Sequence, residues 1–368
     1  MIYADNAATT RLDSKALEVM YSYLSESYGN ASQLYSFSRA SRKALHGARV
    51  IIADCIGASP EEIYFTSGGT ESDNWAIRGA KKSGKGIITS AIEHHAVLYS
   101  CALYGNEVFY LNPDKYGVID SEILKQKISS ETGLVSIMLA NNEIGTIEPV
   151  ADLAKLAHDK GAIFHTDAVQ AAGHIPIDVE ALGVDLLSAS AHKFNGPKGV
   201  GFLYVRKGTE IESFMRGGSQ ESGMRAGTEN VASIAAMAVA LRNNCADMEV
   251  ISNRLCHLEE ILLEELNKAG IDFVRNGAEM HLPGNISLSF KSVSGEMLLH
   301  RLDLKGICVS TGAACDSVNT KVSHVIEAIG VPRGYAEGTI RISLGRYNTE
   351  DDALEIASAL AGILKPRR

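Results

Sequence analysis

The sequence predicts an α/β fold: a large unit built on a mostly parallel sheet covered by helices, joined to a smaller α+β unit. Three observations carry this. Between Gly86 and Val205, short apolar runs alternate with helix-length stretches, the pattern of a parallel sheet with crossover helices. Polar residues gather just past the ends of the apolar runs, where ligands collect in such sheets. A chain of 368 residues with 45% hydrophobic content can bury a large core, yet is long for one domain. The expected division is a large unit over residues 15–250 and a small unit made of residues 1–14 with 251–368.

The opening residues Ile2 to Thr10 read as an extended arm ending in a polar turn. Asp13 or Ser14 is placed to cap a helix from Lys15 to about Leu24. Tyr28 to Ser32 is a loop by composition, and helical periodicity runs from about Phe37 to Ile56. Ile63–Thr66 is a short strand that enters Ser67-Gly68-Gly69-Thr70 and then a helix. Strand, glycine turn and helix start together aim free backbone N–H groups at an anion, usually phosphate. The spacing is neither Gly-x-Gly-x-x-Gly nor a Walker A loop, which removes the main support for dinucleotide or nucleoside triphosphate binding.

Further strands are expected at Gly86–Ser90, Glu107–Leu111, Gly133–Ala140, Ala162–Thr166, Leu186–Ala189 and Val200–Val205. Helices fit between them at Ala96–Tyr104, Ser121–Ile128 and Val150–Lys160. Arg216 to Asn230 is glycine-rich and charged, a long loop of functional type. A helical run from about Val231 to Lys268, broken near Ala246-Asp247, links the two units. Strands near Asn285–Phe290 and Thr339–Ser343, with helices near Gly295–Leu302 and Val322–Ile329, make the smaller one.

Composition narrows the function. The formal net charge of -9 argues against nucleic acid or an anionic membrane as main partners. No run of about twenty apolar residues suggests a transmembrane helix, and the first residues lack the pattern of a signal peptide. The six cysteines include no Cys-x-x-Cys pair and read as reduced thiols, so a cytoplasmic location is expected.

The candidate chemistry sits at four strand ends: Glu93-His94-His95, Asn141-Asn142-Glu143, His165 to Gln170, and Ser190-Ala191-His192-Lys193. Lys193 lies in a turn between two apolar strands, where desolvation lowers a lysine's pKa and makes its amine a nucleophile able to form a Schiff base. The ordinary alternative is a turn lysine that reaches solvent. Pyridoxal 5'-phosphate needs a lysine for its aldehyde, an acid for its pyridinium nitrogen, a helix start for its phosphate and a flat neighbour for its ring. The sequence supplies Lys193, Asp167, Gly69-Thr70 and His94. Taken singly, Asp167 could equally be a helix cap and His94 a core histidine. A second feature is Cys308 to Ser317, in which Cys308 follows an apolar residue and Cys315 lies among small and polar ones. An exposed loop thiol there can act as a nucleophile.

These segments together resemble the cysteine desulfurases of the class V aminotransferase family, in the group associated with iron–sulfur cluster and thio-cofactor assembly. The likeness runs from Asp5-Asn6 to Arg346. It rests on Thr-Ser-Gly-Gly-Thr-Glu-Ser-Asp-Asn from Thr66, Glu-His-His-Ala-Val from Glu93, Asn-Asn-Glu from Asn141, His-Thr-Asp-Ala-Val-Gln from His165, Ala-His-Lys from Ala191 and Arg-Ala-Gly-Thr-Glu-Asn from Arg225. The resemblance implies the type I fold of pyridoxal-phosphate-dependent transferases, with the small unit carrying the cysteine loop. It implies that Lys193 holds the cofactor, His94 stacks on the ring, and Asp167 pairs with the ring nitrogen. Asn142 and Gln170 would contact the ring oxygen and its surroundings, and Gly69, Thr70, Ser190 and His192 would hold the phosphate. Thr228 would reach the phosphate of a second subunit in a homodimer. Arg341 would grip the carboxylate of L-cysteine, with Asn30 and Asn142 nearby. Cys315 would take the substrate sulfur as a persulfide, leaving alanine, and pass it to an acceptor such as an iron–sulfur scaffold or a thiolation enzyme. No metal site is expected from the protein alone, with Cys315 at most a transient ligand of a cluster.

Two positions depart from the family's pattern: Tyr35 stands where histidine is common, and Asp316 follows the thiol, where like charge disfavours thiolate. A selenocysteine lyase, a class V aminotransferase and a non-catalytic partner protein on the same fold stay open as alternatives. Of these, the aminotransferase needs Lys193 but not Cys315.

Overall fold

The computed structural model describes residues 1–80, 85–105, 107–312 and 322–365. Strand β1 (Ile2–Tyr3) is followed by α1 (Ser14–Ser25) and α2 (Arg39–Ile56). Asp13, of the two candidate caps, starts α1: its Oδ1 accepts from the N–H groups of Lys15 and Ala16 at 2.9 and 3.0 Å. The chain then alternates as β2 (Ile63–Thr66), α3 (Gly69–Gly79), β3 (Gly86–Ser90), α4 (His95–Tyr104), β4 (Val108–Leu111), α5 (Ser121–Lys127), β5 (Thr132–Ser136), α6 (Val150–His158), β6 (Ile163–Asp167), α7 (Val179–Leu182), β7 (Leu186–Ser190) and β8 (Gly201–Val205).

β2 to β8 form one seven-stranded sheet in the order β2-β8-β7-β6-β5-β3-β4. Every pair from β4 to β7 is parallel, whereas β8 runs antiparallel to both β7 and β2. The reversal has a local cause. Only a short turn joins β7 to β8, too short for the crossover that a parallel pair needs. That turn carries Lys193.

The sheet is buried on both faces by side chains that alternate along each strand. Leu187, Ala189, Phe202 and Tyr204 join a core with Ile52, Ile56, Phe164 and Met237, on the side of α2, α6 and α8 (Val231–Ala246). Leu186, Leu203 and Val205 face the other way, against Trp75, Ala76 and Val97 of α3 and α4. Each large apolar side chain so buried contributes about 1.5–3 kcal/mol before chain entropy is counted. Trp75 also satisfies its indole N–H, donating to Glu212 O at 2.9 Å.

After Asp247 the chain enters α9 (Met248–Lys268), so the helical run breaks where the sequence indicated. There follow β9 (Phe273–Asn276), β10 (Asn285–Phe290), α10 (Gly295–Asp303), β11 (Ile307–Cys308), α11 (His324–Ala328), α12 (Arg333–Ala336), β12 (Thr339–Ser343) and α13 (Glu350–Leu364). β12, β10 and β9 form an antiparallel sheet in that order. Its apolar face packs on Leu255, Leu258 and Leu262 of α9 and on Ile356 and Leu360 of α13. β1 pairs in parallel with β11, and Ser343 N–H donates to Ala4 O at 2.7 Å, which draws the first residues of the chain into this second core.

Several boundaries differ from expectation. β5 stops at Ser136 rather than Ala140, but Ile137 and Leu139 still donate to His165 O and Asp167 O at 3.1 and 2.9 Å, which guides the chain beside the end of β6. β1 falls in the arm read as extended, whereas α7, β9, β11, α12 and α13 carried no sequence reading of their own. No described helix is long and apolar enough to cross a membrane.

Candidate active site

Beyond β7 the backbone tightens into a single 3-10 turn, Ala191–Lys193. Three groups hold this turn. Thr10 Oγ1 donates to His192 O at 2.8 Å, Asn244 Nδ2 on α8 donates to Phe194 O at 2.7 Å, and Asn195 takes a left-handed φ of 61°. Lys193 Nζ donates to the carbonyls of Ala7 and Ala8 at 2.6 and 2.9 Å. Gln170 Nε2 shares the Ala7 acceptor at 3.0 Å. The amino-terminal arm is therefore one wall of the lysine site.

Asp167 ends β6, the neighbour of β7, and is only 5% exposed. Its Oδ1 accepts from Val169 N–H at 2.8 Å, so it does form the local turn that an ordinary cap would. Burial pushes its pKa up to about 6, against the pull of that hydrogen bond and of the Lys193 charge. His94 caps α4, its Nδ1 accepting from Ala96 N–H at 3.1 Å. Burial and then the Lys193 charge bring His94 down to about 4, and the same two causes bring His192 to about 4, so both rings are neutral at pH 7. His192 is further held to Thr9, Nδ1 to Oγ1, at 3.2 Å. Asp167, His94 and His192 thus all lie within the electrostatic reach of Lys193.

The start of α3 faces the same region. Gly68 has a φ of 148°, a conformation that favours glycine, and it offers the helix no side-chain cap. A Cβ on Gly68 would stand 3.4 Å from Ser190 Oγ, and one on Gly69 only 2.5 Å from Val169 Cγ2. Gly69 and Thr70 therefore open the helix beside Ser190 and the Asp167 turn, with the positive end of the helix dipole directed there. Burial raises Glu71 in the first turn, but hydrogen bonds from Arg225 and Ser67 outweigh it and keep the carboxyl ionised below its usual range.

Arg341 comes from the other sheet. Its Nη1 donates to Asn142 O at 2.8 Å and its Nη2 to Asp5 Oδ1 at 2.8 Å, while the buried Nε–H has no partner. Asn141 shapes the bend that presents Asn142. Its Nδ2 donates to Ile92 O at 2.9 Å, and its Oδ1 accepts from Glu143 and Ile144 N–H at 2.8 and 3.0 Å. Asn142 meets Arg341 through its main chain.

Other expected members stand apart. Asn30 Oδ1 accepts locally from Ser32 N–H at 2.9 Å, and Tyr35 is 53% exposed. Thr228 is exposed, three residues beyond the arginine that clamps Glu71. Among the described residues, no hydrogen bond ties Asn30 or Thr228 to the lysine group. Cys315 and Asp316 lie outside the described residues.

Glu93 and His165, among the strand-end candidates, are wholly buried and turn their polar groups inward. Glu93 Oε1 accepts from Ser90 Oγ at 2.7 Å and Met138 N–H at 2.9 Å. His165 lies between two hydroxyls, Nδ1 2.8 Å from Ser136 Oγ and Nε2 3.0 Å from Ser188 Oγ, and burial lowers it to about 3. Asp73 of α3 approaches the same imidazole, Oδ1 to Nε2, at 3.7 Å. The Asp5 and Ala7–Ala8 contacts and the Asp73 carboxyl went unread in the sequence, although all lie within the quoted or adjoining motif segments.

The residues present fit pyridoxal 5'-phosphate. An uncapped helix start beside a serine hydroxyl suits the phosphate, a buried acid suits the ring nitrogen, and an amine and a neutral imidazole complete the donor set. Known proteins agree with that reading. A family model described as aminotransferase class-V matches residues 2–355. A protein of Methanosarcina thermophila named cysteine desulfurase IscS is 45% identical over 374 residues, covering 100% of this chain and 93% of its own. One of the same name from Dictyoglomus turgidum is 48% identical over 375 residues, covering 100% and 95%. Among solved structures, a NifS-like protein has a TM-score of 0.92 at 39% identity and covers 99% of both chains. A structure described as SspA in complex with cysteine has a TM-score of 0.83 at 34% identity, covering 95% of this chain and 100% of its own. The architecture is the type I fold of pyridoxal-phosphate-dependent enzymes, and the family works with that cofactor. The chain belongs to the class-V aminotransferase family, in its cysteine desulfurase group.

Proposed function

We propose that this protein is a pyridoxal-phosphate-dependent cysteine desulfurase that converts L-cysteine to L-alanine and takes the sulfur onto Cys315 as a persulfide. The observation that carries the reading is the meeting of Lys193, Asp167 and the open start of α3 at adjacent strand ends. Two relatives spanning the whole chain, both named cysteine desulfurase, support the choice of substrate. When bound, the cofactor supplies an electron sink that labilises the bonds at the substrate's α and β carbons.

The chain's own residues do the rest. Lys193 anchors the cofactor and moves the proton at Cα. Asp167 would stay charged to pair with the ring nitrogen, and neutral His94 would hold the ring. Gly69, Thr70, Ser190 and His192 hold the phosphate, while Gln170 and Asn142 serve the ring's polar edge. Arg341 offers its unpaired Nε–H to the substrate carboxylate, and Asn30 completes the grip from the loop before α2. Cys315 Sγ attacks the substrate sulfur. The S–S bond forms as the carbon–sulfur bond breaks, and the electron pair left on carbon is protonated to give alanine.

The assembly is a homodimer in which Thr228 reaches the partner's phosphate. Its exposure, on a segment anchored to α3 through Arg225, supports this. The two cores support a division into residues 15–250 and residues 1–14 with 251–368, the latter bearing Cys315. The setting is the cytoplasm, and the sulfur goes to an iron–sulfur scaffold or a thiolation enzyme.

The test is direct. The purified yellow protein is incubated with L-cysteine, and alanine and protein persulfide are measured together. Cys315→Ala is expected to keep the spectral response to cysteine and to lose both products. Full alanine release from Cys315→Ala would overturn the assignment of the thiol, and transfer of the amino group to a keto acid by the wild type would move the protein to the transaminases.

A further inference from the structure

Behind Asp167 lies a polar cluster that the proposed reaction does not use. Asp73, on the inward face of α3, is 1% exposed and, among the described residues, forms no ion pair with a lysine or arginine. Its Oδ1 lacks a hydrogen-bond partner, and the imidazole nearest to it is that of His165, 3.7 Å away. That imidazole is no counter-ion, because it is fully buried between the hydroxyls of Ser136 and Ser188 and stays neutral. Ser188 bridges the cluster: its hydroxyl faces Asp73, contacts His165 Nε2 at 3.0 Å, and sits in register beside Asp167 on the neighbouring strand. The titratable groups that face Asp73 are Asp167 from β6 and Glu93 from the end of β3, both acidic, and burial holds Glu93 itself well above its usual range.

We propose that Asp73 is a positioning residue that stands as a neutral carboxylic acid, so that Asp167 keeps the one negative charge under the cofactor ring. This rests on the cofactor reading of Asp167. Ionising Asp73 would place a second carboxylate without a cation in the same buried space. The cost of an unpaired buried charge is several kilocalories, which protonation avoids. Burial drives the Asp73 carboxyl well above its usual range, and the Asp167 charge drives it further, against one hydrogen bond from Ser188. Lys193 is the cation that pulls Asp167 the other way, so the two acids separate into one neutral and one charged. As an acid, Asp73 braces Ser188, and through it the backbone beside Asp167, without competing for the pyridinium.

Infrared difference spectra of the wild type and Asp73→Asn test this, in both the cofactor-free and the loaded protein. At pH 7 the difference is expected to show the loss of a protonated-carboxyl C=O band in both forms. Loss of carboxylate bands instead overturns the proposal. Ser188→Ala supplies the same reading if Asp73→Asn does not fold: the band moves to higher wavenumber on losing its hydrogen bond, and an unmoved band overturns the contact. Kinetics add rescue. Asp73→Ala is expected to lose about tenfold in kcat/KM, the scale of one hydrogen bond, and to shift the pH profile of the bound chromophore. Asp73→Asn, neutral and of the same shape, restores both, whereas an anionic Asp73 would not be replaced by an amide. Alanine release by the wild type tests the desulfurase reading separately. If alanine forms and no band is lost, this inference alone fails. If the band is lost and no alanine forms, the desulfurase reading fails and the neutral acid remains.

Discussion

Asp167 at the end of β6 and Arg341 in β12 are both nearly buried, at 5% and 4% exposure, yet their surroundings differ in kind. Arg341 is already matched: its fork meets Asp5 and the Asn142 carbonyl, and one N–H remains open. Asp167 is under-matched, with Asp73 and Glu93 behind it and Lys193 as the cation in reach. A charge paired within the fold is settled before any ligand arrives. A charge held mainly among other acids is poised for an incoming cation, and its pKa records the tension. The two ends of the proposed site are therefore expected to respond differently to substitution, one through chemistry at the cofactor and the other through substrate affinity.

Breaking the under-matched side has the largest expected effect. Asp167→Asn is expected to leave a cationic partner without its anion, a loss of roughly 3–5 kcal/mol, so cofactor retention and turnover should fall by about two to three and a half orders of magnitude. Retention is read from visible absorbance after gel filtration. Near-normal values would mean that Asp167 is only the turn residue that its bond to Val169 makes it.

The matched side is expected to give a smaller and differently shaped loss. Arg341→Lys keeps the charge and discards the planar fork, removing charge-assisted bonds worth about 1.5–3 kcal/mol each. kcat/KM for cysteine should drop by roughly ten- to a hundredfold, carried by KM, with the cofactor retained. A fall in kcat at unchanged KM would contradict a carboxylate-binding role. Asp5→Asn sharpens the comparison, because it loosens Arg341 and leaves Asp167 untouched.

A third prediction concerns the pH dependence of stability. Glu148 is buried, with Oε2 accepting from Ile119 N–H at 2.8 Å and Oε1 unpartnered, and burial raises it to about 8. A carboxyl raised by folding binds a proton that the unfolded chain has released. Its contribution is therefore least unfavourable below the unfolded pKa, and stability falls as pH rises from about 4.5 to about 8. Glu148→Gln is expected to remove a few kcal/mol of that fall across the window, on the order implied by the shift, in stabilities from denaturant unfolding at each pH. An unchanged slope would show Glu148 ionised at neutral pH.

The smallest effect is expected at Cys308. It lies half-buried in the two-residue strand β11, paired with Tyr3, away from the lysine group. Cys308→Ala should change alanine release by less than about twofold, within the usual range for a tolerated small substitution. Loss of persulfide in that variant would mean that the sulfur passes through the wrong thiol of this scheme.

The lysine turn was legible in the chain because its cause is local. Two apolar strands close in sequence must be joined antiparallel, and the polar residues between them have nowhere else to go. The same holds for the open start of α3, where Gly68 and Gly69 are written into the turn, and for the break after Ala246. Asp13 could be narrowed to one of two caps and no further, because both neighbours have capping side chains and only the backbone conformation separates them.

The pairing of Arg341 with Asp5 joins residues 336 apart, and no periodicity reports such a contact. Glu93 and His165 read as candidates at ligand-collecting strand ends, because spacing alone does not say which polar side chains turn inward. Composition and spacing alone determined the α/β class, the alternation, and the residue types that a phosphate, an amine and a buried acid require. Tertiary structure decided which acids share one buried space, which of them meets the lysine, and which arginine is already paired. Those are properties of distance and desolvation, which arise only when β6, β7, α3 and the amino-terminal arm pack together.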